Sequence, residues 1–112
     1  MTEDERAARV GRNQALFRAV NEGMRELNES FASITKEYSI VCECADVGCT
    51  GSVLIRRSEY VAVRGNPRQF IVLRAHVLPE VERIVSGSDG YVVVEKFGAA
   101  AAVAEAVAPT QD

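Results

Sequence analysis

Three cysteines and one histidine are the residues of this chain best suited to chemistry. Cys42, Cys44 and Cys49 are spaced C-x-C-x4-C, and His76, the sole histidine, follows 27 residues after Cys49. Three thiolates and an imidazole form a closed tetrahedral zinc set, with Zn–S of ~2.3 Å and Zn–N of ~2.0–2.1 Å. Soft thiolates select zinc over magnesium or calcium, although they also accept iron. An odd number of cysteines argues against a closed disulfide set. In a strand, Cys42 and Cys44 point to one face, as two ligands of one ion must. The residues therefore favour a structural zinc ion held by Cys42, Cys44, Cys49 and His76. Three other readings stay open: free thiols beside an unrelated histidine, a reactive redox cysteine, or Asp46 or Glu43 standing in for His76.

Other catalytic chemistry is not signalled. The chain has no GxSxG elbow, no phosphate-binding loop and no dinucleotide fingerprint. A histidine-based acid–base scheme would need the residue assigned to the metal. An enzyme is not expected.

The elements that must position the cluster follow from periodicity. Phe17, Val20, Met24, Leu27, Phe31 and Ile34 alternate at spacings of three and four, which places them on one helical stripe. A helix over 10–36 is expected, with the stripe packing chiefly as core. Its length implies that it overhangs a small domain, bends, or meets a partner through Phe17, Val20, Met24 and Leu27. Gly23 beside the stripe marks either a close packing contact or a soft point.

Beyond the helix the period shortens. Residues 38–44 and 51–55 read as a hairpin with the cysteines at its tip. Ser58 resembles the N-cap of a short helix that ends before Gly65-Asn66-Pro67. Phe70–Leu73 reads as a buried strand, and His76 follows it in a loop. Residues 81–96 read as a second hairpin around Gly87-Ser88-Asp89-Gly90. The expected fold is α+β: a long N-terminal helix packed on a small antiparallel sheet, stapled by the metal. The expected divisions are a flexible 1–9, a single domain over 10–97 with its β-rich metal-binding part at 38–97, and an Ala-rich tail over 98–112 that frays after Val103.

Composition narrows the function classes. The chain has 112 residues, 47% of them apolar, and a net charge of −3. That is one domain with a modest core, and it is not a general polyanion binder. The charge is uneven: residues 51–86 carry six arginines against three acids. Arg56, Arg57, Arg64, Arg68 and Arg74 could form a face for RNA or a ribosome, or simply a solvated surface. The opening residues are charged and no apolar run follows them, so neither a secretory leader nor a membrane span is expected. A cytoplasmic setting follows, where thiols stay reduced. The first functional reading is a non-enzymatic zinc protein that acts as a protein-interaction or regulatory module, with self-association possible. The alternatives are an RNA-associated accessory protein and a thiol-based sensor of zinc or oxidant.

Several segments together resemble a known group. They are Asn13–Glu22, Val41-Cys42-Glu43-Cys44-Ala45-Asp46, Cys49, Glu59-Tyr60, Val63-Arg64, Pro67-Arg68-Gln69-Phe70, His76, Glu80–Arg83 and Tyr91–Lys96. Over residues 10–97 the chain resembles a family of small uncharacterised actinobacterial proteins. In those proteins a Gly typically precedes the His, where this chain has Ala75. The resemblance implies the architecture and a cytoplasmic setting, and no activity.

Overall fold

A computed structural model describes residues 2–107, and the side chains of all of these except Phe31. The protein is α+β, with a long N-terminal helical segment packed on antiparallel sheets. The Thr2 hydroxyl caps helix α1 (Glu3–Gly23) by accepting from the Glu5 N–H at 3.1 Å. Glu3, Asp4 and Glu5 fill its first turn, where the helix dipole favours acids. Gly23 weakens the helix and α1 stops there. Helix α2 (Arg25–Thr35) continues after Met24 and ends on Lys36, which has a left-handed φ of 61°. The single helix expected over 10–36 is thus two helices, beginning earlier and interrupted at Met24. Among the described residues nothing packs within 4 Å of where a Gly23 side chain would begin, so within the chain Gly23 is the soft point and makes no close packing contact.

Strands β1 (Glu37–Val41) and β2 (Ser52–Arg56) pair antiparallel, from Glu37↔Arg56 to Val41↔Ser52. Helix α3 (Arg57–Arg64) follows at once. It starts one residue before Ser58, and its N-cap position is Arg56, so Ser58 is not its cap. Strand β3 (Gln69–Val72) belongs to a second sheet of order β3-β5-β4, with β4 (Glu82–Gly87) and β5 (Val92–Lys96) antiparallel and bulged between Ile84 and Ser86. Two sheets thus stand where one was expected. The strand period of two divides the core. Ile71 and Val93 pack with Tyr38, Ile40, Val53 and Tyr60, while Phe70, Val72, Val92 and Val94 pack with Cys42, Cys44 and Ala104.

The face that α1 and α2 turn inward is polar. Gln14, Arg18, Asn21 and Asn28 are buried. Of the apolar stripe expected in the core, Val20, Leu27 and Ile34 are exposed, at 40%, 75% and 84%, and Phe17 and Met24 are half-buried. The reason is hydrogen bonding. Arg18 donates to the carbonyls of Pro67 at 2.7 Å and Ala104 at 2.9 Å, and its guanidinium lies over the Phe70 ring. Asn28 Oδ1 accepts from Ser39 N–H at 2.8 Å, and Asn21 Oδ1 accepts from Val41 N–H at 2.9 Å. These two side chains close the edge of β1 as a neighbouring strand would.

The Ala-rich end is helix α4 (Gly98–Ala106), which runs past Val103 and buries Ala100, Ala101 and Ala104. It packs against α1. A Cβ on Gly11 would meet the Ala100 carbonyl oxygen at 3.0 Å and the Val103 Cβ at 3.3 Å. Small residues on both helices permit this approach, so the segment is part of the packed fold and not a free tail. Residues 108–112 of the expected tail lie outside the described ones. Replacing Gly11 by Leu is expected to lower stability by about 1–3 kcal/mol, as overpacking does, despite the better helix propensity. A urea midpoint equal to or above that of the wild type would refute the close packing.

Candidate metal centre

The four candidate ligands come from segments next to both sheets. Cys42 and Cys44 lie just past β1, Cys49 lies in the loop leading to β2, and His76 ends a single 3-10 turn, Arg74–His76, after β3. The loop returns because Asp46 organises it: its carboxylate accepts from Gly48 N–H at 2.8 Å, and its carbonyl accepts from Cys49 N–H at 2.9 Å. This is an Asx-type turn, and it folds Cys49 back over the strand end. The Leu73 carbonyl accepts from His76 N–H at 2.9 Å and sets the histidine turn.

One ligand atom from each of the four residues lies within 4.8 Å of the others. The Nδ1 of His76 stands 3.5 Å from the Sγ of Cys42 and 3.5 Å from the Sγ of Cys49. Cys42 and Cys44 are buried, whereas Cys49 and His76 are half-buried. This cluster can hold a metal ion, and all four expected ligands take part. Backbone groups complete the surroundings: Leu73 N–H donates to Cys42 Sγ at 3.2 Å and Gly51 N–H to Cys49 Sγ at 3.4 Å. Donors of this kind orient and stabilise ligating thiolates. Burial pushes the Cys42 thiol up to about 12, and burial also raises Cys44. A cation in the cluster reverses that preference, because the ligating form is the thiolate. A cleft of about 330 Å³ is lined by Cys44, Asp46 and His76.

Glu43 lies between the ligands and is fully buried. Its carboxylate accepts from Arg64 twice, at 2.6 and 2.9 Å, from Asn21 at 2.7 Å and from Ile71 N–H at 2.9 Å. It is therefore not a substitute ligand. β1 ends at Val41, short of the strand expected over 38–44, yet the extended chain just beyond it turns Cys42 and Cys44 toward His76 and Glu43 toward Arg64. A charged residue flanked by two buried cysteines was the sequence signal for this role. The exposed Asp46 is occupied by its turn.

The arginines considered for nucleic acid do not stand free together. Arg64 is buried on Glu43, Arg57 pairs with Glu29, Arg68 pairs with Glu105, and Arg74 donates to the Ser88 carbonyl. Arg56 is exposed. Arg64 is thereby withdrawn from any contact with a partner. A second buried pair, Glu82 with Lys96, receives Gln14 of α1 at 3.1 Å and fastens that helix to the second sheet. No helix among the described residues is long and apolar enough to cross a membrane. Compared with protein-family models, curated proteins and solved structures, the chain matches none.

Proposed function

We propose that Cys42, Cys44, Cys49 and His76 hold one structural zinc ion, and that the protein is a non-enzymatic, cytoplasmic interaction module. The zinc staples the scaffold, and the outer face of α1 and α2 is the working surface. The observation that carries the metal assignment is the sulfur–nitrogen spacing. Tetrahedral zinc with ordinary bond lengths separates a sulfur and a nitrogen ligand by about 3.5–3.6 Å. Both separations at His76 are 3.5 Å. Four protein ligands leave no open position for substrate, which favours a structural ion over a catalytic one. The buried carboxylates of Glu43 and Glu82 are each engaged by a cation, which leaves neither free for acid–base work.

The interaction reading rests on the helices. Their polar side is spent on the domain, and their apolar side faces outward, where a soluble chain gains nothing from it. The nucleic-acid reading has weaker support, because four of its five arginines are engaged within the chain. A thiol sensor has weaker support at Cys42, where burial raises the thiol and so disfavours the reactive thiolate.

Elemental analysis tests the metal assignment. About one zinc per chain is expected in the wild type, with most of it lost in both Cys49→Ser and His76→Ala. Reduced, folded protein without zinc would remove the assignment. Full retention in His76→Ala would remove His76 from the ligand set.

A further inference from the structure

Along the outer side of α1 and α2, Leu16, Val20, Gly23, Leu27, Ser30 and Ile34 succeed one another at spacings of four and three. That alternation keeps them on one seam. All six are exposed, and four are large and apolar. Arg12 flanks the seam toward the amino end and Glu26 toward the carboxyl end. Both are exposed, and neither has an ion pair among the described residues.

We infer that two copies of this chain pair antiparallel through this seam, an inference that rests on the interaction reading above and names its partner. The charges set the direction. Parallel pairing would bring Arg12 against Arg12 and Glu26 against Glu26. Antiparallel pairing about a two-fold axis between Ala19 and Val20 brings Arg12 beside the partner's Glu26, and symmetry repeats the contact. The same register sets Leu16 opposite the partner's Gly23. That position has no Cβ, and among the described residues no other element comes within 4 Å of where one would stand. A leucine knob then enters a hole whose floor is backbone, as in close helix pairs. The Val20 side chains of the two copies meet beside the axis. This gives the mid-helix glycine, which weakens α1, a role in the assembly. A two-fold pair is closed, so it satisfies the seam without generating fibres.

The contact is one helix wide and about 22 Å long from Arg12 to Leu27 at 1.5 Å per residue, with Ile34 beyond it. That is smaller than the ~800 Å² per partner of a standard interface, so the pairing is expected in the micromolar range. Sedimentation velocity of the full chain over about 1–500 µM tests it. Wild type is expected to pass from one chain to two. Val20→Glu, which sets two carboxylates at the axis, is expected to weaken association at least ~10-fold. Arg12→Glu and Glu26→Arg are each expected to weaken it, and the double variant to restore it. A wild type that stays single, or a double variant no better than its parents, overturns the inference. Zinc content measured on the same samples separates the two readings. A single chain loaded with zinc overturns the pairing and gives the face to a different protein, whereas loss of zinc strikes the scaffold whatever the mass.

Discussion

Removing the metal is expected to melt most of the β-rich part of the protein while α1 and α4 keep more of their helical signal. The proposed ion would bridge two sheets that otherwise meet through shared core packing, as of Ile71 and Val93 with Ile40 and Val53, and through Glu43. Cys42, Cys44 and Cys49 extend from the β1–β2 hairpin, and His76 follows β3 of the other sheet. Between the sheets at this point run Glu43 N–H to the Ile71 carbonyl at 2.8 Å and Leu73 N–H to Cys42 Sγ. The second of these is stronger to a thiolate than to a thiol. Zinc binding by small Cys/His peptides is worth about 10–16 kcal/mol, against the ~5–15 kcal/mol of net stability of a whole domain. Metal removal is therefore not a marginal change. The contact of α1 with α4 at Gly11 and Ala100 lies on other elements and does not use the ligands. Hydrogen exchange with and without a chelator gives the test. Amides of residues 37–56 and 69–78 are expected to lose protection first, with a fall of more than ~10 °C in the unfolding midpoint. Cys44→Ser should reproduce the effect in the presence of zinc. An unchanged midpoint after complete metal removal would sink the staple.

How much of this was legible in the sequence depends on which residues carried the information. The three cysteines were readable because their geometry is local: Cys42 and Cys44 stand two residues apart on extended chain just past β1, and Asp46 and Gly48 turn the chain back. The hairpins were readable from alternation and from the Gly-rich turn after β4. The inward face of α1 was not readable. Apolar periodicity assigns Val20, Leu27 and Ile34 to the core, but the domain presents carbonyls, a strand edge and buried carboxylates to this helix. Arg18, Asn21 and Asn28 answer those groups, and burial of hydrogen-bonded polar side chains is then favourable. Nothing near these residues in the chain announces their acceptors, which come from Pro67, Ala104, Val41 and Glu43. The Ala-rich end was misread for a related reason. A lack of large side chains suggests weak anchoring, yet small size is what lets Ala100 approach Gly11.

Replacing Glu43 by Ala is expected to cost about 3–5 kcal/mol, the range for removing one partner of a buried pair. Its carboxylate joins four elements at once: Asn21 from α1, Arg64 from α3, Ile71 from β3, and the end of β1 from which it projects. Without it, the buried Arg64 guanidinium loses its bidentate acceptor, and the Ile71 N–H and the Asn21 amide each lose one. The loss should also reach the metal. Glu43 lies between Cys42 and Cys44, so its anchoring fixes the orientation of both ligands, and removal of such supporting groups lowers metal affinity ~10–100-fold. Two controls separate charge from shape. Glu43→Gln keeps the size and most acceptor positions but leaves the guanidinium uncompensated, so it should lose most of the same stability. Glu43→Leu combined with Arg64→Met removes both charges, and it should be more stable than Glu43→Leu alone, because an apolar pair avoids the desolvation cost that an unpaired ion must bear. Urea unfolding of zinc-saturated protein gives the stabilities, and competition with a chromogenic chelator gives the affinity. A Glu43→Ala variant within 1 kcal/mol of wild type, with zinc affinity unchanged, would mean that the ligands are held by the loop turns alone and that the buried carboxylate links the helices without supporting the metal.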